Sequence, residues 1–293
     1  MTLTHRRAVW LMVLVTLLWS TAGMVTRHLE QARSFELTFW RSFFTVLSLA
    51  VILPLFQGRQ VFARLRHAGP ALWLSGLCWS VMFTAFMVAL TLTSVANVLV
   101  TMAVGPFFTA LFAWLFAGQR IPARTWLAIA VAGAGIAWMY GAQFSLGGGA
   151  QMTGTLVALC VPLAGAVNWT VVQRSQGQGQ RIDLVPAVMV GAILSSAATL
   201  PMALPFSASG HDVALLAFLG LTQLAIPCVL SVWCATVLKA PEVSLLALLE
   251  VVFGILLAWV GAGEVPAPTV LTGGALVIGA LVFNEWLGWR RGP

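Results

Sequence analysis

Long apolar runs follow one another along the chain, separated by short polar segments. A helix needs about 20 apolar residues to cross the hydrocarbon core of a bilayer. This length predicts ten membrane helices, with limits near 8–27, 35–56, 70–91, 96–117, 125–141, 152–173, 184–205, 212–236, 243–262 and 267–288. The connections between them are too short for a soluble domain, so we expect the function to lie within the membrane or at its faces.

Two segments 145 residues apart, Pro106 to Gln119 and Val251 to Glu264, indicate an internal repeat. Six of their 14 positions are identical, including an Ala-Trp pair and an Ala-Gly pair. A repeat unit with five spans must insert its second copy upside down. The sequence therefore predicts an all-α integral membrane protein with ten transmembrane helices in a 5+5 inverted repeat, residues 1–145 and 146–293, an architecture typical of transporters.

Composition agrees with a membrane protein, since 60% of the residues are hydrophobic, 8% are charged and the mean hydropathy is +0.96. The net charge of +7 could suggest a nucleic-acid partner, but orientation explains it more simply. With a cytoplasmic N-terminus, twelve Arg and Lys residues fall on the cytoplasmic side and only Arg27 and Arg33 fall outside. We expect both termini in the cytoplasm, an inner (plasma) membrane location, no nucleic acid, and a first helix that is retained, not cleaved as a signal peptide.

Catalytic and cofactor chemistry finds little support in the sequence. The four cysteines show no CxxC spacing, and the four histidines lie outside the predicted spans. Paired intramembrane aspartates, a Ser/His dyad and HExxH are not found. We therefore expect no enzyme activity, no cofactor and no metal. A receptor or scaffold without transport is the alternative that remains open.

Several short motifs resemble the EamA-type exporters of the drug/metabolite transporter superfamily over essentially the whole chain. They are LWST at 18–21, WRSFF at 40–44 and the Ala-Trp-x-x-Ala-Gly pattern that ends predicted helices 4 and 9, with Gly263-Glu264 keeping the family's Gly-Glu. The chain departs from the family where Gly118-Gln119 and Val251 replace Gly-Glu and Pro. Within the family it looks most like the YddG-type exporters of aromatic amino acids and related compounds.

The resemblance implies a central cavity between helices 1, 3, 4, 6, 8 and 9, with helices 5 and 10 outside. Small-residue runs in those two outer helices suit close packing, at the periphery or in a weak homodimer. The implied function is export of small metabolites by alternating access, the cargo being aromatic or neutral amino acids and flat cationic compounds.

Two charged residues within the predicted spans are candidates for binding or coupling. Arg41 could pair with Glu36 or extend to the surface, or it could bind a substrate carboxylate. By the resemblance, helix 2 does not line the cavity, which weighs against direct contact. Glu250 could be a proton site, a ligand for a substrate ammonium group, or a neutral helix contact.

Other candidates combine apolar surface with hydrogen-bonding groups near mid-depth. Aromatic and Met side chains could stack a flat cargo, and polar side chains could bind an amino acid backbone. These substrate-binding candidates are Trp19, Ser20, Trp79, Phe83, Asn97, Thr101, Met102, Asn168, Ser244 and Glu250. Pro106, Pro162 and Pro227 lie inside apolar runs and are either packing kinks or hinges.

Overall fold

The computed structural model describes residues 3–32, 34–58, 60–66, 69–117, 123–144, 149–177, 183–238, 243 and 246–290. Within these ranges the regular structure is helical and contains no strand, so the predicted all-α class is confirmed. The helices are α1 (His5–Thr26), α2 (Ser34–Gln57), α3 (Val61–Arg66), α4 (Pro70–Leu92), α5 (Val95–Met102), α6 (Gly105–Ala117), α7 (Ala123–Phe144), α8 (Gly149–Gly177), α9 (Val185–Ala203), α10 (Gly210–Leu219), α11 (Ile226–Cys234), α12 (Leu249–Ala262) and α13 (Pro268–Arg290).

Helical segments coincide with all ten predicted spans, but they differ in length. In the described part of the chain, seven segments are long and apolar enough to cross a membrane: α1, α2, α4, α5 with most of α6, α8, α9, and α10 through α11. Shorter apolar segments lie in α7 (Trp126–Gly135), in α12 and in α13 (Pro268–Asn284). The protein is therefore a multi-pass membrane protein, and the prediction of ten full-length spans is not confirmed.

Predicted helix 4 (96–117) is not one continuous helix. α5 ends, Ala103 and Val104 form a turn, and α6 then begins. Pro106 is the second residue of α6, where a missing N–H and a fixed φ are tolerated. The hinge signal at Pro106 thus marks the start of a new helix and not a kink inside a long one.

Predicted helix 9 (243–262) is interrupted at a corresponding place. The chain forms a turn at Leu248, and α12 begins directly after it, which is why α12 is shorter than the prediction. Leu248 follows Ala103 by 145 residues, the offset of the two matching sequence segments.

Predicted helix 8 (212–236) contains a wide turn. The π-helical segment Gly220–Ala225 joins α10 to α11, and Pro227 follows it closely. Because proline has no N–H to donate to the preceding turn, the backbone widens there. Gly220 lets this segment approach α2, since a Cβ atom would lie 2.8 Å from the carbonyl oxygen of Arg41 and from Phe44 Cβ. By contrast, α8 continues through Pro162 without interruption.

Most close helix pairs join the first half of the chain to the second. α1 packs against α11 and α12, α2 against α9, α4 against α8 and α9, α6 against α8, and α7 against α13. Close approach is possible where glycine removes a side chain, as at Gly191, where a Cβ would lie 2.9 Å from the carbonyl oxygen of Gly76 and 3.0 Å from Ser80 N. The two halves are interleaved and do not form separate lobes.

At one end of the bundle, buried carboxylates join neighbouring chain segments through hydrogen bonds. We call it the Arg27 face, the end at which α1 and α12 finish and α10 begins. Asp212 accepts backbone N–H groups of Glu30, Gln31 and Ala32 at 2.8, 2.9 and 3.0 Å, and it forms a capping box with Ser209. The start of α10 is thereby tied to the α1–α2 connection.

Glu36 makes a similar connection on the same face. It accepts N–H groups of Ser207 and Ala208, at 3.0 and 2.8 Å, and the Ser207 hydroxyl at 2.8 Å. Both Glu36 and Asp212 are fully buried. Their charges are therefore stabilised by N–H and O–H donors, which is what a buried carboxylate requires.

An ion pair joins further helix ends on this face. Arg27 Nε donates to Glu264 at 2.7 Å, and Glu264 also accepts the N–H of Val95 at 2.8 Å, at the start of α5. Arg27 further donates to the carbonyl oxygens of Leu90 and Thr93. The ends of α1, α4 and α12 are thus joined on the Arg27 face.

Candidate functional site

A cavity of about 190 Å³ lies at the centre of the bundle. Its wall is built by α1, α2, α4, α8 and α11, the π-helical segment and both helix breaks, the latter through Ala103, Gly105, Leu248 and Glu250. Pockets for drug-sized ligands measure roughly 300–1,000 Å³. The smaller volume here suits a small metabolite.

Aromatic and sulfur-containing side chains form much of the wall. The Trp79 ring lies 5.5 Å from the Phe83 ring and 6.5 Å from the Trp169 ring, tilted in the first pair and edge-on in the second. Such rings offer flat apolar faces with large contact area. The full set among the described lining residues is Met12, Trp19, Trp79, Met82, Phe83, Phe86, Met102, Trp169 and Cys228.

Arg41 is fully buried and forms part of the cavity wall. Its Nη1 donates to Gln223 Oε1 at 3.0 Å, and its Nη2 donates to the Phe83 carbonyl oxygen at 2.6 Å. The guanidinium carbon lies 5.8 Å from the centre of the Phe86 ring. Nε is buried and has no hydrogen-bond partner in the described part of the chain.

The sequence-based alternatives that Arg41 pairs with Glu36 or extends to the surface are wrong. Glu36 is occupied by the backbone at Ser207 and Ala208, and the guanidinium is directed inward to Gln223. The implication that helix 2 stays away from the cavity is wrong at Arg41 as well. The π-helical segment explains this, because its close approach to α2 places Gln223 beside Arg41.

Glu250 faces the same cavity from the first turn of α12. Its backbone carbonyl oxygen accepts the Ser20 hydroxyl at 3.2 Å. Among the described lining residues, Glu250 is the one acid and Arg41 the one base. Cys228 lies on the same wall. The cavity therefore combines an apolar wall with one basic and one acidic side chain.

Some of the sequence-predicted residues lie on the cavity wall and others do not. Those on the cavity wall are Trp19, Trp79, Phe83, Met102, Glu250, Arg41, Pro106 and Pro162. Pro227 lies behind the wall at the start of α11, and Ser244 falls outside the described residues.

Four polar candidates are used in contacts within and between helices and do not line the cavity. Ser20 donates to the Thr16 carbonyl oxygen at 2.6 Å as well as to Glu250. Asn97 donates to Thr93 Oγ1, Thr101 donates to the Asn97 carbonyl oxygen, and Asn168 accepts from Ser75. Polar side chains often serve as hydrogen-bonding contacts between membrane helices, so polarity alone did not identify the wall.

Gln223 is the residue that the sequence did not reveal. It is separated from Arg41 by 182 positions, and nothing in its local segment distinguishes it from other buried polar residues. Thr109, on α6, is a further polar residue of the wall. No group of His, Cys, Asp and Glu suited to a metal ion occurs among the residues that the structure describes.

Comparison with known proteins adds the family. Residues 6–141 match the sequence profile of the EamA-like transporter family. The match supports the assignment of this stretch to that family. Members of that family are membrane transporters and not enzymes. Comparison with curated protein sequences gives no match.

A solved crystal structure has the same fold as this chain. The two superpose with a TM-score of 0.68 at 19% sequence identity, over 98% of this chain and 99% of the other. The likeness therefore covers the second half of the chain as well as the first. At this identity it concerns the fold alone.

Proposed function

We propose that this EamA-like transporter exports small metabolites, above all aromatic and neutral amino acids, by alternating access through the central cavity. The observation that carries the proposal is the cavity itself, whose aromatic wall bears one basic side chain, Arg41, and one acidic side chain, Glu250. An amino acid carries the same combination of an apolar side chain, a carboxylate and an ammonium group. The cavity is thus chemically complementary to the cargo of YddG-type exporters.

The proposed architecture is ten spans in two inverted repeats. Two observations support it: the helix breaks at Ala103 and Leu248 share the 145-residue offset of the sequence repeat, and repeat counterparts such as α2 with α9 and α7 with α13 pack together. In such a fold, rocking of one repeat against the other exposes a midplane site to each side in turn. We place both termini in the cytoplasm of a cell with an inner membrane, and the α7–α13 pair at the surface available to a weak homodimer.

Flat cationic compounds are a second candidate cargo. Glu250 provides a carboxylate on the wall, and Trp19 and Trp79 provide faces that attract cations. Both cargo classes require the cavity, whereas a scaffold would not need one. A receptor without transport would be distinguished by the absence of counterflow.

Counterflow of labelled solutes in proteoliposomes tests the proposal. The panel is L-phenylalanine, L-tryptophan, L-leucine and a flat quaternary amine, each with and without a proton gradient. Gly165→Phe should abolish counterflow, because Gly165 lines the cavity and an aromatic ring would fill it. Gly133→Phe is the matched control, since Gly133 is exposed on α7 and a Cβ there meets no atom within 4 Å. Absence of counterflow for the whole panel would contradict transport of these cargo classes.

A further inference from the structure

Arg41 is a buried cation whose observed partners are all neutral. Gln223 supplies an amide oxygen, Phe83 a carbonyl oxygen and Phe86 the face of a ring. Removing a guanidinium from water is costly unless a counter-ion or water replaces the lost solvation. Three neutral contacts leave the positive charge uncompensated.

The described carboxylates near the cavity do not compensate it. Glu36 binds the backbone at Ser207, and Glu250 shares the cavity wall with Arg41 but forms no ion pair with it in the described part of the chain. The Arg41 Nε atom is buried and without a partner, on a residue that lines the cavity. An anion that enters the cavity would supply both the missing partner of Nε and the missing counter-charge.

We propose that Arg41 binds the carboxylate of the transported solute and that Gln223 is its positioning residue. The inference rests on the proposed function, because it takes the central cavity to be the substrate site. A guanidinium presents several N–H donors in a planar fork that fits a carboxylate. Gln223 accepts from Nη1 and so fixes the orientation of that fork. The substrate class is then a small carboxylate with a flat apolar group, and carboxylate-free amines are poorer cargo.

A substitution at Gln223 tests this without removing Arg41. Gln223→Glu keeps the shape of the side chain and gives Arg41 a permanent carboxylate, which should displace that of the solute. Gln223→Met keeps the length and adds no charge, so Arg41 still needs an anion. Gln151→Glu is the matched control, because it adds the same charge at an exposed position on α8 away from the cavity.

Binding is measured on the full chain in detergent, by the shift in thermal unfolding, with 3-phenylpropionate, L-phenylalanine and phenethylamine as probes. Gln223→Glu should lower the affinity for 3-phenylpropionate about tenfold or more. This is the effect of losing one charge-assisted hydrogen bond. Phenethylamine affinity should not fall in this variant. Gln151→Glu should keep the preference of the unmodified chain for 3-phenylpropionate over phenethylamine. Gln223→Met leaves Arg41 Nη1 without its acceptor, so it should weaken the binding of 3-phenylpropionate by a smaller factor than Gln223→Glu does. Size-exclusion chromatography verifies that each variant is folded.

Several outcomes would overturn the inference. One is the absence of 3-phenylpropionate binding to the unmodified chain, and another is equal affinity for the acid and the amine. A third is an equal loss of affinity for all probes in Gln223→Glu and Gln223→Met, which would make Gln223 a structural residue only. Selective carboxylate binding without counterflow of any probe would instead uphold the inference and count against the proposed transport.

Discussion

Buried carboxylates at the Arg27 face are stabilised by backbone donors and not by cations. Asp212 accepts four N–H groups, three from the α1–α2 connection and one from Ser209. Each donor would otherwise be left without a partner in a tightly packed end of the bundle. The side chain therefore determines the course of the connection as well as the start of α10.

Asp212→Asn should destabilise the protein, since an amide presents only one acceptor oxygen and its NH₂ group would face donors. We expect a loss of about 1–3 kcal/mol, the cost of leaving buried donors unsatisfied. Thermal unfolding in detergent measures it. Glu30→Gln is the control, because Glu30 is exposed and contributes its backbone N–H, which the change retains. Equal unfolding midpoints for the two variants would show that the carboxylate is dispensable.

Glu250→Gln should abolish any dependence of transport on a proton gradient and leave counterflow intact. A neutral side chain of the same shape can still contact cargo but cannot exchange a proton. Counterflow and gradient-driven uptake are compared in the same proteoliposomes. Weaker binding of amine-bearing cargo with gradient dependence retained would assign Glu250 to the substrate ammonium group. If neither property changes, the carboxylate is structural. Uniport would be the preferred mechanism only if the unmodified chain also shows no dependence on the gradient.

The aromatic residues that were predicted from their depth line the cavity, whereas most of the polar residues that were predicted to bind substrate do not. Trp19, Trp79 and Phe83 lie on the wall because large rings near mid-depth have few other places to pack. Asn97 and Asn168 are equally deep, but they face neighbouring polar side chains. Which way a polar side chain turns depends on partners distant in sequence, and a single sequence does not contain them.

Helices approach closely at glycines, and the contact between α4 and α9 is one example beside the cavity. At Gly191 an added Cβ would contact Trp79 Cβ and lie 2.9 Å from the carbonyl oxygen of Gly76. Backbone atoms cannot yield as a flexible side chain can, so the helices would have to separate. The position of Trp79 on the cavity wall therefore depends on Gly191.

Gly191→Ala should lower stability by about 1–3 kcal/mol, the usual cost of overpacking, and should also weaken cargo binding because Trp79 moves. Gly279→Ala should be neutral or slightly stabilising, since Gly279 lies in α13 where a Cβ meets nothing within 4 Å. Thermal unfolding and the affinity for L-phenylalanine are measured on both variants. An unchanged Gly191→Ala protein would mean that α4 and α9 pack less closely than described.

At the level of helices, hydropathy located every apolar segment but not the interruptions within them. The interruptions are the turns at Ala103 and Leu248 and the π-helical segment. Each changes which carbonyl oxygen accepts a hydrogen bond from a given N–H group, but none changes the polarity of the sequence. The prolines nearby were a partial signal. Pro106 and Pro227 each mark a helix start after an irregular turn, whereas Pro162 lies in an uninterrupted helix.

The orientation of the whole molecule is tested by cysteine accessibility. In a chain whose four native cysteines have been replaced, Gly148→Cys should react with an impermeant reagent added to intact cells. Gly148 lies in the predicted external connection between the repeats, outside the described residues. Gln178→Cys, in a predicted cytoplasmic connection, should react only after permeabilisation. The reverse pattern would exclude the predicted orientation with cytoplasmic termini.

The interleaving of the two halves constrains how the protein is made. α1, α2, α4 and α7 have their main partners in α8 to α13, so few of their contacts can form while the ribosome is still translating the first half. Contacts between residues distant in sequence also slow folding. The early helices therefore remain in the bilayer without their partners until the second half is made, and their glycine-containing surfaces stay uncovered. A chain truncated near its middle should be recognised as unassembled by membrane quality-control proteases.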